Sequence, residues 1–565
     1  MDKRWVFKET DDEMVISLQQ ELKVHPIICR LLVQRGIKTF DEAKKFFRPE
    51  ISDLHNPFLM KDMQKAIDRI NNAISNNQRI LIFGDYDVDG TTSVALVYSF
   101  FKEIHPNIDY YIPDRYIEGY GISIKGIDYA KETNCPLIIA LDCGIKANDK
   151  VDYANSLNID FIICDHHIPG EKVPAAHAVL DPHQSDCNYP YKELSGCGIG
   201  FKLVQAFAQH HDISIDSIKN LLDLVVVSIA SDIVPITGEN RILAYYGLEQ
   251  LNLNPRPGFK ALIDITGYDL PLNISNIVFG LGPRINAAGR MDDANKAVKM
   301  LIADSVEKAK NGADILQEKN VDRKEIDKRI TDHAMFMLEN DPLTKERLST
   351  VLFSDEWHKG VVGIVASRLI DHYYKPTILL TSSSGMLFGS ARSIKNFDIY
   401  EAILECSDLL EQFGGHMYAA GLSLLPENLE KFKIKFEEVV RRRIKPEQLT
   451  PEIEIDSALE LKDITPSFNN ILKQFAPFGP QNMLPIFMSS HLKNNGRSKI
   501  VGESHLKLGL KDDQFYNADA IAFKKGSYYD NISKGSSFDI CYTIEENIFR
   551  DMKSIQLNVR EIKMN

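Results

Sequence analysis

Leu81–Gly90 reads LIFGDYDVDG. A short apolar run passes without a break into aspartates at every second position, Asp85, Asp87 and Asp89. Carboxylates this close raise one another's pKa and are held best when a cation sits among them. No basic residue falls between Arg79 and Lys102, so a metal ion is the first expectation. In an extended segment the three aspartates would share one face.

Outward from this stretch the pattern alternates. MQKAIDRINNAISNN before it is an amphipathic helix, RILIF a short buried strand, and TTSVALVYSFFKEI after it a second helix. Further apolar runs at Asp109 to Ile112, Cys135 to Leu141, Asp160 to Cys164 and Ala178 to Leu180 read as strands, with helical patterns between several of them. Such alternation predicts an α/β body with a mostly parallel, doubly wound sheet covered on both faces. Polar residues follow the apolar runs: Asp142 after LIIAL, then Asp165, His166 and His167 after FIIC, and Asp232 after LLDLVVVSIAS. Ligands in doubly wound sheets bind beyond the carboxyl ends of the strands, so these side chains are expected at one edge. Oxygen-rich ligands with a histidine suit Mg²⁺ or Mn²⁺. The carboxylates suffice for two ions, which at about 3.5–4 Å apart can activate water and stabilise a leaving oxygen at phosphorus.

At 565 residues the chain has room for about three or four domains. Residues 1–55 read as a helical segment and 56–303 as the first α/β domain. A charged linker helix over 304–342 and a smaller α/β domain over 343–425 follow. Residues 426–565 form a helix, a proline-marked linker and a C-terminal β-barrel of short strands. The net charge of −13 is no signature of a nucleic-acid coating protein, yet it leaves room for a local basic groove. Eight cysteines without a CxxC pair argue for reduced thiols and a cytoplasmic setting. The N-terminus lacks the apolar core of a signal peptide, and no run reaches the length of about 20 residues that a membrane span needs.

Competing motifs are weaker. Asp85–Gly90 spells DxDxDG, but the twelfth position of an EF-hand loop, a glutamate, is here Leu96. SGCGIGF at 195–201 has GxGxG rather than GxGxxG spacing and reads as a tight turn opening a helix. No GxxxxGK[ST] or GxSxG is present. Any one aspartate after a strand could be a cap or turn former; the series with a His-His pair is harder to explain that way.

Asp165-His166-His167 resembles the signature of the DHH phosphoesterase superfamily. GDYDVDG, LDCGI, DHHIPG, ASDIVPI, GLGPRINAAGR, HKGVVGIVASRL, GSARS and FGGHMYAAG follow in order. From about residue 25 onward the set resembles the bacterial RecJ family of single-strand-specific 5′→3′ DNA exonucleases. That resemblance implies a DHH domain, a linker helix, a DHH-associated domain and a C-terminal OB-fold. It implies that Asp85, Asp87, Asp89, Asp142, His166 and Asp232 serve a two-metal centre of Mn²⁺ or Mg²⁺, with Asp142 bridging. Asp142, His166 and His167 would be catalytic, and His167 could donate to a phosphate oxygen. Some relatives carry a histidine where Phe83 stands, which would leave one metal without an imidazole.

The resemblance also makes Ser390, Arg392, Gly415 and His416 of the DHH-associated domain substrate-facing, joined by Arg115, Arg284 and His358. Arginine forks grip phosphate bidentately, and glycines let the backbone come close. In the OB-fold, Phe487, Phe515, Tyr516 and Phe523 could stack on bases, with Lys493, Arg497, Lys499 and Lys507 supplying charge. The expected activity is removal of nucleotides from single-stranded DNA in recombination and repair, the strand threading a cleft between the two α/β bodies. A RecQ-type helicase and a single-strand binding protein are implied as partners, and a monomer is expected. The alternatives are a DHH phosphodiesterase for short oligonucleotides or cyclic dinucleotides, and an inactive DHH module that binds single strands.

Overall fold

The computed structural model describes residues 3–549 and 552–565. Five parallel strands form the first sheet: β1 Ile80–Gly84, β2 Ile108–Tyr111, β3 Leu137–Leu141, β4 Asp160–Cys164 and β5 Ala178–Leu180, in the order β2-β1-β3-β4-β5. Every residue of β1 and β3 is buried, as an all-parallel sheet covered on both faces requires. Helix α1, Met63–Ser75, precedes β1, and α2, Val88–Ile104, follows it. Helix α2 starts three residues earlier than its apolar pattern indicates. The hydroxyls of Thr91, Thr92 and Ser93 donate to the carbonyls of Asp87, Val88 and Asp89 at 2.6–2.7 Å, which lets a polar stretch lie buried inside the first turns.

Two further helices matter for the site. Helix α3, Gly196–His210, is N-capped by Ser195, whose hydroxyl accepts from the Gly198 amide. Helix α4, Leu222–Ser231, is the LLDLVVVSIAS segment; nearly all of it is buried, and it delivers Asp232 from a helix end rather than from a strand. Lys202 of α3 is fully buried with Glu239; its ammonium donates to Glu239 at 3.0 Å and to the His55 carbonyl at 2.7 Å. The Tyr189 hydroxyl and the His55 amide complete the glutamate's shell.

The chain divides into two compact units, one of 5–282, 301–304 and 454–565, the other of 1–4, 283–300 and 305–453. The second unit carries the long helix α5, Val306–Asn340, within the expected 304–342. Its sheet comprises β6 Thr350–Phe353, β7 Thr377–Ser383, β8 Met386–Arg392, β9 Gln412–His416 and β10 Ala419–Leu424, in the order β9-β10-β8-β7-β6. Only β6 and β7 are parallel. Helix α6, Val362–Tyr373, packs on this sheet through Val362, Val365, Ala366 and Leu369.

The C-terminal strands β11 Phe487–Asn494, β12 His505–Lys511, β13 Asn517–Ala522, β14 Phe538–Phe549 and β15 Met552–Met564 close into a ring. β11 pairs with β14, β14 with β15, β15 with β13, β13 with β12, and β12 returns to β11. This is the expected OB-type barrel, and closure removes its free edges. Its core contains Phe487, fully buried against Phe468 and Tyr542, so Phe487 is no stacking platform; Phe515, Tyr516 and Phe523 are exposed. Val15, Leu18, Ile28, Leu31 and Leu32 of the N-terminal helices lie in the same core.

Removing Lys202 strands a buried carboxylate. Lys202→Met is therefore expected to lower unfolding free energy by about 3–5 kcal/mol, read as a shifted urea midpoint with unchanged slope.

Candidate metal centre

The order β2-β1-β3-β4-β5 reverses direction between β1 and β3, the place where an open α/β sheet leaves a crevice at its carboxyl edge. Asp85 follows β1 directly, Asp142 follows β3, and Asp165-His166-His167 follows β4. The three aspartates of the opening stretch do not lie along an extended face. Asp85 sits in a turn, Asp87 caps α2 by accepting from the Gly90 amide at 3.0 Å, and Asp89 lies in the first helical turn. The turn-and-cap geometry brings Asp85 and Asp87 to Asp142, and Asp89 to His166 and Asp232. Asp142 adopts the left-handed backbone region at φ 59°, which aspartate tolerates better than most residues.

The side chains converge. The His166 Nε2 lies 3.1 Å from Asp142 Oδ1, 3.6 Å from Asp232 Oδ2 and 3.7 Å from Asp89 Oδ2. Three overlapping sets, Asp85/Asp87/Asp142, Asp89/His166/Asp232 and Asp142/His166/His167, each place one donor atom per residue within 4.8 Å of the others. Asp142 belongs to two of them, and His166 to two. Asp85 Oδ2, Asp142 Oδ1 and His166 Nε2 are buried without any hydrogen-bond partner. Buried polar atoms are normally paired; three orphans in one hard-donor cluster fit divalent cations.

The electrostatics agree. Burial, reinforced by the neighbouring Asp87, drives the Asp85 carboxyl well above its usual range. Burial and the field of Asp89 raise Asp87, and burial with Asp89, Asp87, Asp232 and Asp85 raises Asp142. Asp232 is pushed up to about 8, by desolvation first and then by Asp89 and Asp87. His167 and Arg115 offset this negative charge only in part, since the carboxyls of Asp85, Asp87 and Asp232 stay raised beside them.

Asp165 plays a different part from its neighbours. One oxygen accepts from the His166 amide at 2.8 Å, the His167 amide at 3.2 Å and His167 Nδ1 at 2.7 Å; the other accepts from the Ile145 amide at 2.9 Å. Burial opposes its charge, but these donors outweigh it and lower its pKa. Burial likewise opposes a charged His167, yet the bond from Asp165 and the surrounding carboxylates raise it to about 9. Asp165 thus shapes the loop and holds His167 cationic, while His167 Nε2 stands 3.3 Å from the Tyr120 hydroxyl. Arg115 lies over the ring of Tyr86, between Asp85 and Asp87 in the chain, at 5.0 Å, and its charge reaches Asp85.

Some contributors were missed in the sequence. The amides of Gly196 and Cys197, at the start of α3, both donate to Asp89 at 2.7 Å, as does the Ser228 hydroxyl. SGCGIGF does open a helix, but that helix end also clamps a carboxylate, the favourable place for an anion. A Cβ on Gly196 would stand 2.6 Å from the Asp142 Cβ, which only glycine avoids. Asp89 at helix spacing from a cap was the available signal.

The remaining expected site residues lie in the other unit. On adjacent strands, Arg392 pairs in register with Ala419 and Ser390 with Gly421, while His416 pairs with Ala419. Arg392 donates to the Ser390 hydroxyl at 2.9 Å, and burial lowers its pKa. Burial and the nearby Arg392 also lower that of His416. Gly363 at the start of α6 leaves room for this pair: its Cβ would lie 2.7 Å from Ser390 Oγ and 2.9 Å from Arg392 Nη2. Gly415 takes φ +149° with the Ala419 carbonyl 2.3 Å from where a Cβ would be. His358 accepts from the Gly360 amide at 3.1 Å, and the Gly360 carbonyl receives Arg290 at 3.0 Å, an arginine not singled out in the sequence. Arg284 is largely buried and donates to Gln317 at 2.8 Å.

A parallel sheet with an aspartate-histidine cluster at its switch point defines a metal-dependent phosphoesterase of the DHH type. The description "DHH family, N-terminal domain" matches residues 79–229, "DHHA1 domain" 347–442 and "RecJ OB domain" 455–561. The single-stranded-DNA-specific exonuclease RecJ of Bacillus subtilis is 35% identical over 562 residues, covering 99% of this chain and 70% of that protein. Its Escherichia coli counterpart is 32% identical, covering 95% and 96%. The chain belongs to the RecJ family. Its fold is also that of Thermus thermophilus RecJ in complex with Mn²⁺, at TM-score 0.85 and 24% identity over 99% of this chain and 79% of that one. A second solved structure, exonuclease RecJ bound to manganese, is 28% identical at TM-score 0.60, over 71% and 98%.

The raised carboxyls give a test. With folded pKa values above those of the unfolded chain, the folded protein binds more protons, so its stability falls as pH rises from about 4 toward 8. Cations discharge that repulsion. The thermal midpoint of Mn²⁺-loaded over chelated protein is expected to gain steadily between these limits; scanning calorimetry with an equal gain at pH 5 and pH 8 would contradict the assignment.

Proposed function

We propose that this chain is a single-strand-specific 5′→3′ DNA exonuclease of recombination and repair, with two divalent cations, Mn²⁺ or Mg²⁺, held by Asp85, Asp87, Asp89, Asp142, His166 and Asp232. The observation that carries this reading is the three donor sets linked through Asp142 and His166, with three buried donor atoms unpartnered. Cations bound there would lower the pKa of a bound water and stabilise charge developing at phosphorus.

The chain's own groups divide the remaining work. Asp142 belongs to two of the three donor sets and lies 3.1 Å from His166 of the other, so it would hold one cation and could reach a second. Asp89, fixed by two amides and a hydroxyl, keeps its carboxylate in place without the reorganisation a free side chain would need. His167, kept cationic by Asp165, donates to a non-bridging phosphate oxygen. Arg115 on Tyr86 offers a second cation to the strand. In the other unit Ser390, Arg392, Gly415 and His416, with His358 and Arg284, grip the phosphate of the 5′ end. On the barrel, Phe515, Tyr516 and Phe523 stack on bases. Lys499 stands directly opposite Lys507, a repulsive cross-strand pair that a phosphate would relieve.

The same reading assigns 56–303 to catalysis, except for 283–300, which packs with the other unit and carries Arg284, 304–342 to the linker, 343–425 to end binding and the barrel to holding the strand. It places a monomer in the cytoplasm, supplied with strands by a RecQ-type helicase and a single-strand binding protein.

The deciding assay follows a single strand labelled at either end, with Mg²⁺ and then Mn²⁺, beside matched duplex. Mononucleotides from the 5′ end with the duplex spared are expected; cleavage confined to short oligonucleotides would replace this reading. Asp142→Ala should reduce cleavage to about a thousandth or less with circular dichroism unchanged. Arg392→Ala should raise KM for 5′-phosphorylated strands about tenfold to a hundredfold, leaving Mn²⁺ affinity alone.

A further inference from the structure

Ile233 follows Asp232 directly and adopts φ +61°, the left-handed region. There the Cβ crowds the following carbonyl, and a β-branched side chain makes the crowding worse. Glycine, asparagine and aspartate enter this region most cheaply, and this chain uses them at Asn77, Asn134, Asn158 and Asp212. Among the described residues Ile233 is the only β-branched one with positive φ.

A strained apolar residue is usually kept for what its side chain packs against. Ile233 packs against little, because 64% of it is exposed. Its flanks are fixed: the Asp232 amide bonds to the Ser228 carbonyl at 2.9 Å, the Ile236 amide to the Pro480 carbonyl at 2.9 Å, and Val234 and Ile236 are buried. Neither backbone economy nor core packing accounts for isoleucine here. The left-handed turn presents an apolar side chain one residue from a carboxylate that stands 3.6 Å from His166. A second isoleucine, Ile168, is also 64% exposed and immediately follows His167, without the left-handed backbone.

We propose that Ile233 is a substrate-positioning residue whose side chain packs against the nucleoside next to the scissile phosphate, with Ile168 flanking the same cluster. This rests on the exonuclease reading above. The ligands hold only the phosphate; sugar and base present apolar faces to whatever rims the cluster, and an aliphatic side chain there fixes the nucleoside relative to the scissile phosphate.

Ile233→Gly and Ile233→Asn keep the left-handed turn and remove the aliphatic surface; Ile233→Leu keeps the surface. The Gly and Asn variants are expected to hold or raise the thermal midpoint, to bind Mn²⁺ as the parent does in calorimetry, and to raise KM for a single strand about tenfold. Leu should restore KM to near the parent value. An unchanged KM in both the Gly and Asn variants overturns the proposal. So does a loss of Mn²⁺ affinity in both, because the residue would then act by aiming Asp232. If the parent protein fails to shorten single strands at all, the exonuclease reading falls and this one with it; an active parent with unaffected variants removes only the role of Ile233.

Discussion

Mutual repulsion among carboxylates governs the larger unit of this protein. Asp85, Asp87, Asp89, Asp142 and Asp232 crowd together with His166 and His167, and the fields of His167 and Arg115 offset their charge only in part. Such a group stays folded only if something positive lies within it and if its oxygens are held by donors in the meantime. The fold supplies the donors from backbone amides: Gly90 for Asp87, Gly121 for Asp85, Gly196 and Cys197 for Asp89, Ile145 for Asp165. Two of these sets are helix starts, where amides lack partners within the helix and the local field favours anions. The crossing order of the strands brings those starts to the same crevice.

Much of this was legible from residue patterns. Strand runs were uniform enough to place β4 and β5 residue for residue and to set the parallel sheet. Asp142 and His166 follow their strands where the topology requires. The geometry of the opening stretch was not legible, because alternation at every second position is compatible with a strand as well as with a turn running into a capped helix. Asp87 decides between them through a hydrogen bond to Gly90 that no periodicity encodes. The apolar segment before Asp232 was open in the same way, since a fully buried helix and a buried strand both read as continuous apolar runs. Phe487 was offered for stacking because aromatic residues in short strands look alike whichever face they take, and one residue of register separates core from surface.

The second unit solves a complementary problem. Arg392 and Ser390 sit two apart on β8 and so share a face, and His416 enters from the outer strand of the same antiparallel ladder. Glycines stand where a methyl group would collide, at position 363 with Ser390 and Arg392 and at position 415 with Ala419 and Ala420. The chain therefore divides anion-repelling and anion-attracting chemistry between two separately packed units, and its overall charge of −13 reports neither. A total charge can hide local fields of opposite sign.

The barrel core bears on how the chain is made. Leu18, Ile28 and Leu31 pack in one cluster with Leu508, Ile540 and Leu557, residues separated by several hundred positions in sequence. During synthesis the first helices emerge long before the strands that cover them. Their apolar faces must wait, or find temporary cover, until those strands leave the ribosome. Contacts of such long sequence separation form late and leave surfaces prone to aggregation meanwhile. A ribosome stalled short of Met552–Met564 would leave the N-terminal helices and an unclosed barrel exposed together.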